Sequence, residues 1–246
     1  MMTIIDNDDV PVKAILPEER LILALDVPDV DGAKRLVERL GPAVRFYKLG
    51  LELFMAGGYF ELLDWLADRD KHVFVDLKFF DVPQTVASAV RQLAKRPARF
   101  ATVHGNDAIL EAAVSEKGPL AILAVTVLTS LDQADMDALG FQADIRAVVL
   151  ERAKRALAFG CDGIVSSGLE VAGIRDALGP KLVIVVPGIR PGTNRPADDQ
   201  KRTVDVEEAF RVGADYIVVG RPIRDATDPR AAAEAIQVRI HRLFND

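Results

Sequence analysis

From residue 21 onward this chain switches eight times between a short run of β-type apolar residues and a longer segment with helical spacing. The strand candidates are 21–26, 44–50, 72–78, 100–104, 120–128, 163–166, 182–187 and 216–220, and the helical candidates include 30–40, 59–69, 83–94, 145–159 and 206–212. Each strand is nearly continuous in Val, Ile, Leu and Ala, the pattern of strands covered on both faces in a parallel sheet. Eight βα units in about 225 residues predict a single-domain α/β fold, a closed (β/α)8 TIM barrel over 21–246, preceded by a solvated tail at 1–20. The Gly-Pro and Pro-Gly steps at Gly41, Gly118, Gly179 and Pro191 fall between elements, and the stretch 130–144 has room for an extra short helix.

Composition narrows the function classes. A net charge of -6, from 37 acidic and 31 basic residues, argues against non-specific nucleic-acid binding but leaves room for a local anion pocket. Cys161 is the single cysteine, cannot form an internal disulfide, and reads as a small buried residue of a cytoplasmic protein. The longest apolar run, 120–128, is far short of the roughly 20 residues a membrane helix needs. Asp6, Asn7, Asp8 and Asp9 make the start of the chain unlike a signal peptide.

In a barrel of this kind the chemistry sits where strands end, on the face built by the βα loops. Asp26 ends the first strand, Lys48 lies near the end of the second, Asp76 and Lys78 end the third, and Arg190 and Arg221 follow the seventh and eighth. Asp76 and Lys78 share a side of a regular strand, and Asp81 follows in the turn beyond. By itself the Asp76–Lys78 pair could be a structural ion pair closing a strand end. Two acids and two lysines converging on one mouth, each with an opposite charge nearby, speak for a site. Alternating Lys and Asp side chains hold one another charged without a metal, and the set lacks the His-rich or multi-carboxylate make-up of a transition-metal centre.

The last two strands indicate what this mouth binds. Pro187-Gly188-Ile189-Arg190 and Gly220-Arg221-Pro222 both end a strand in glycine, which lets backbone N–H groups approach a phosphate, and barrels of this class often bind phosphate there. Arg221 adds a forked donor suited to phosphate oxygens. The polar loop 190–201 has the length of a lid.

Together with Leu23-Ala24-Leu25-Asp26, Tyr47-Lys48-Leu49-Gly50, the run from Asp76-Leu77-Lys78 through Phe79-Phe80-Asp81-Val82-Pro83, and Val125-Thr126-Val127-Leu128-Thr129-Ser130, these motifs give the chain a resemblance to the orotidine 5'-phosphate decarboxylases, from about residue 20 to the C-terminus. Phe80 departs from the family pattern, standing where many relatives have His. The resemblance implies a carboxy-lyase that uses no cofactor and no metal to convert orotidine 5'-phosphate to UMP, the last step of de novo pyrimidine synthesis. Carried over by position, it makes Lys78 the proton donor, sets Asp76 against the substrate carboxylate, and has Lys48 bridge Asp76 and the ribose region. Asp26 is then expected on a ribose hydroxyl, Thr129 and Ser130 at the pyrimidine, and Arg190, Gln200, Gly220 and Arg221 on the phosphate. Asp81 and Thr85 are expected to cross into the other subunit of a homodimer.

Two other readings compete. A Mg2+-dependent phosphosugar β-keto acid decarboxylase or aldolase would share the barrel and the Asp-x-Lys-x-x-Asp strand, but such relatives carry Glu where this chain has Lys48. A non-catalytic nucleotide-binding barrel would keep the phosphate contacts and lose the donor, whereas Lys78 is present. His72, His104, Trp65 and His241 read as structural or surface residues.

Overall fold

The computed structural model describes residues 15–191 and 201–245. Its eight strands are β1 (Leu21–Ala24), β2 (Phe46–Leu49), β3 (His72–Phe79), β4 (Phe100–Val103), β5 (Ala121–Val125), β6 (Gly163–Val165), β7 (Val183–Val186) and β8 (Tyr216–Val219). All pair in parallel in chain order, and β8 returns to β1, so the sheet closes into the expected barrel. Around it run α1 (Val30–Leu40), α2 (Leu51–Ala56), α3 (Tyr59–Ala67), α4 (Pro83–Leu93), α5 (Asp107–Ser115), α6 (Gln133–Ala138), α7 (Ile145–Ala158), α8 (Val171–Leu178), α9 (Val206–Arg211), α10 (Arg221–Arg224) and α11 (Pro229–Asn245). The extra helix expected within 130–144 is α6, opened by a capping box between Asp132 and Asp135. Among the described residues no helix is long and apolar enough to cross a membrane.

Two apolar layers follow from the alternation of strand side chains. Leu21, Leu23, Tyr47, Leu49, Val73 and Val75 point outward and pack with helix residues such as Leu36, Val37, Leu62 and Leu66. Ile22, Ala24, Phe46, Phe74, Phe100, Leu123, Val183, Val185, Tyr216 and Val218 form a second cluster without any helix residue, and this is the barrel interior. Within it Phe100 meets Phe46 at 5.1 Å, Tyr216 at 5.3 Å and Phe74 at 6.0 Å between ring centroids, the last two edge to face. These rings fill the interior below the mouth. One step of two residues along the same strands then leads from Ala24 to Asp26, Phe46 to Lys48, Phe74 to Asp76 and Phe100 to Thr102. The charged layer therefore stands directly on an apolar floor.

The third strand is not regular. Val75 pairs with Ala101 and Phe79 with Val103, so Asp76, Leu77 and Lys78 together face Thr102 across the ladder. This bulge places Lys78 at a φ of 48°, a left-handed conformation that costs a non-glycine residue of order 1 kcal/mol or more. Simple alternation is thus not what aims Lys78; a bulge re-aims it.

Within the span 1–20 expected as a solvated tail, the described residues pack against the barrel. Residues 1–14 lie outside the described part, but Pro17–Glu19 form a 3-10 turn beneath the barrel. Glu19 accepts a hydrogen bond from Arg99 Nη1 at 2.8 Å and lies 3.2 Å from His72 Nε2, and Arg20 stacks on Phe244. His72 is accordingly structural, with a charged partner 53 positions away. Trp65 packs against the outer core and carries the Arg69 guanidinium on its face, 3.9 Å from the ring centre. Cys161 is buried, and burial pushes its thiol up to about 12.

Burial alone would raise the Glu19 carboxyl, but Arg99 and His72 outweigh it and hold it below its ordinary value. A carboxyl with a lowered folded pKa stabilises the fold above its unfolded value, 4.5, and loses that contribution as pH falls through the folded one. Urea-unfolding midpoints of the parent protein and Glu19→Gln should therefore differ most near neutrality and draw together only as the pH falls below 4.5. A gap that does not change with pH contradicts this role.

Candidate active site

At the C-terminal mouth of the barrel four side chains form an alternating row. Lys48 Nζ lies 3.2 Å from Asp26 Oδ1 and 3.4 Å from Asp76 Oδ2, and Lys78 Nζ donates to Asp76 Oδ1 at 2.9 Å. Asp76 thus serves two ammonium groups, one at each oxygen. Its side chain and that of Lys48 are 13% and 12% exposed, whereas Asp26 and Lys78 at the ends are 44% and 36% exposed. The middle pair holds the row together and the ends are open to a ligand.

Burial alone would drive the Lys48 ammonium toward neutrality, but Asp76 and Asp26 overcome it and raise its pKa. Burial likewise opposes the charge on Asp76, yet Lys48, Lys78 and the Thr102 hydroxyl hold the carboxyl below its usual range. Both groups stay ionised around neutral pH. Lys48 also occupies the space between Asp26 and Asp76, where a divalent ion would meet a cation instead of a third carboxylate.

A cavity of about 680 Å³ opens over this row and gathers most of the expected residues: Asp26, Lys48, Asp76, Lys78, Thr129, Ser130, Arg190, Gly220 and Arg221. Val125, Val127 and Leu128 give it an apolar wall. Arg190 follows β7 and is buried, with its backbone N–H bonded to Val204 O at 3.0 Å, and Arg221 opens α10 directly after β8. Gly188, between β7 and Arg190 and also on the cavity wall, has a φ of 75°, which explains glycine there. Asp81 and Thr85 are exposed and do not line this cavity; Asp81 Oδ1 accepts from the Val82 N–H at 2.6 Å. Gln200 and most of the 190–201 loop lie outside the described residues.

Several contributors carry no signal of their own in the sequence. Thr102, fully buried on β4, donates to Asp76 Oδ1 and accepts from the Lys78 N–H, both at 2.9 Å. Arg224 lines the cavity one helical turn past Arg221 and donates to the Asp26 carbonyl at 2.6 Å. Arg202 is buried against Glu170 at 2.8 Å and also reaches the carbonyls of Val127 and Leu128 at 3.1 Å, so it braces the apolar wall. His104 sits edge-on to Phe80 at 5.4 Å and near Arg152 Nη1 at 3.3 Å; burial, Arg152 and Lys78 lower its pKa, which favours the neutral ring.

Residues 19–236 match the orotidine 5'-phosphate decarboxylase / HUMPS family. The chain is 63% identical over 244 residues to the orotidine 5'-phosphate decarboxylase of Methylococcus capsulatus, covering 99% of both chains. It is 55% identical over 224 residues to that of Xanthomonas euvesicatoria, covering 90% of this chain and 92% of the relative. The crystal structure of orotidine 5'-phosphate decarboxylase from Lactobacillus acidophilus superposes with a TM-score of 0.79 at 33% identity, covering 90% of this chain and 99% of the other. With the barrel and its charged mouth in agreement over nearly its whole length, the chain belongs to the orotidine 5'-phosphate decarboxylase / HUMPS family.

Proposed function

We propose that this chain removes CO2 from orotidine 5'-phosphate to give UMP, the last step of de novo pyrimidine synthesis, with Lys78 as proton donor and no cofactor. The observation that carries the reading is the row Asp26–Lys48–Asp76–Lys78 along one wall of a cavity that also holds Arg190, Arg221 and Arg224. Relatives at 53–63% identity over at least 90% of the chain bear the decarboxylase name, which speaks against the phosphosugar and non-catalytic readings.

Breaking the bond between the ring carbon and its carboxylate releases CO2 and leaves the electron pair on that carbon. The Lys78 ammonium stabilises this charge as it develops, then passes one proton to it, and recovers a proton from solvent. Asp76 lies against the departing carboxylate and keeps Lys78 aimed, while Lys48 fixes Asp76 and reaches toward the ribose. Asp26 binds a ribose hydroxyl, and Thr129 and Ser130 face the pyrimidine. Arg190, Arg221 and the Gly220 backbone hold the phosphate together with Gln200. Binding energy gained at the phosphate orients the ring for a reaction at its far side.

The enzyme works as a homodimer in which Asp81 and Thr85 enter the partner's cavity. Support comes from their exposure, and from Phe80 and Val82 on either side of Asp81, which leave 67% and 62% of their surface open. The lone buried Cys161 suits a reducing cytoplasm.

Lys78→Ala should lower turnover of orotidine 5'-phosphate on the order of 10⁴-fold or more while UMP still binds, as followed by loss of substrate absorbance and by calorimetry. Mixing it with inactive Asp81→Asn should restore part of the activity, because one hybrid site then has both residues intact. Full turnover by Lys78→Ala contradicts the donor role, and no recovery on mixing contradicts the shared site. Arg221→Ala should weaken UMP binding about 10- to 100-fold and uridine binding little. Equal losses for the two ligands would remove Arg221 from the phosphate site.

A further inference from the structure

We infer that the Thr102 hydroxyl is a positioning group for the proton donor: it locks the β3 bulge so that Lys78 and Asp76 hold one fixed arrangement. This rests on the reading of Lys78 and Asp76 given above. The hydrogen-bond polarity leaves a single solution. The Lys78 N–H can only donate, so the Thr102 oxygen accepts it; an ionised Asp76 can only accept, so the Thr102 O–H is directed at Oδ1. One hydroxyl therefore ties the backbone of the donor residue to the carboxylate that holds its ammonium, closing a ring through Lys78 Nζ and Asp76 Oδ1.

Three features make this tie specific. Thr102 is fully buried, so water cannot replace the hydroxyl without a cavity to sit in. It is the β4 residue between Ala101 and Val103, the two points between which the β3–β4 register shifts, so its side chain meets the Lys78 N–H within the bulge itself. Lys78 holds a left-handed φ of 48°, a conformation that persists in a non-glycine residue only where its surroundings impose it. Threonine does not touch the proposed site of the reacting carbon, so its effect passes through the aim of Lys78 and the charge of Asp76.

The test compares Thr102→Val, which keeps the shape and removes the hydroxyl, with Thr102→Ser, which keeps the hydroxyl. Thr102→Val should lower kcat on the order of 10²-fold, because a displacement of about 1 Å in a reacting group has that effect, while KM and the Kd for UMP change less than about threefold. Thr102→Ser should recover most of the lost kcat. The inference is overturned if Thr102→Val turns over at the parental rate, if KM and the UMP Kd rise in step with the fall in kcat, or if Thr102→Ser is no faster than Thr102→Val. Should Thr102→Val not fold, Thr102→Ala takes its place, and equal kcat for the Ala and Ser variants overturns the inference equally. Lys78→Ala is assayed alongside: parental turnover by that variant removes the donor itself, whereas an inactive Lys78→Ala beside a fully active Thr102→Val removes only the positioning role.

Discussion

Everything at the mouth of this barrel depends on one largely buried carboxylate shared by two ammonium groups. Asp76 receives Lys78 at 2.9 Å on one oxygen and Lys48 at 3.4 Å on the other, and the Thr102 hydroxyl joins Lys78 on the first. A lone carboxylate at that depth would strongly favour the neutral acid, and a lone ammonium would favour the free amine. Placed together, they keep one another charged, as the lowered pKa of Asp76 and the raised pKa of Lys48 express. Because the row ends on the more exposed Asp26 and Lys78, its ionic character is delivered to the cavity at two separated points.

The barrel makes this possible by stacking layers with a period of two residues. Phe46, Phe74, Phe100 and Tyr216 fill the interior and exclude water from below, while Lys48, Asp76 and Thr102 stand one step higher on the same strands. Low polarity beneath the charges strengthens each contact among them and makes removal of any one partner costly. The arginines enter after β7 and β8, on the far side of β1 from Lys48, Asp76 and Lys78, so the phosphate and the pyrimidine of the proposed substrate meet different strands. On the proposed function, the orientation of the ligand is thus written into strand order.

Much of this was legible from residue types alone, and the exceptions have physical causes. Charged residues at the ends of apolar strands identified Asp26, Lys48, Asp76, Lys78, Arg190 and Arg221, which all line one cavity. Thr102 obeys the same parity as Lys48 and Asp76, but a neutral hydroxyl in a β-branched residue is indistinguishable from ordinary strand composition. The bulge was hidden because no glycine or proline marks it; tertiary contacts impose the left-handed turn on Lys78. Arg202 and Glu170 lie 32 positions apart, so no local pattern could pair them. The fifth strand stops at Val125, three residues short of the apolar run, because Val127 and Leu128 serve as cavity wall and not as ladder. Residues 15–20 read as polar tail, yet Glu19 and Arg20 find partners at the starts of β4 and β8 and on α11.

The most direct measurement is a crystal structure of the protein with UMP bound. The account places the Lys78 ammonium within about 3.5 Å of the ring carbon that carries the carboxylate in the substrate, still bonded to Asp76, with the phosphate against Arg221. A Lys78 side chain turned out of the pocket, or a nucleotide bound with its phosphate toward Asp76, would contradict it.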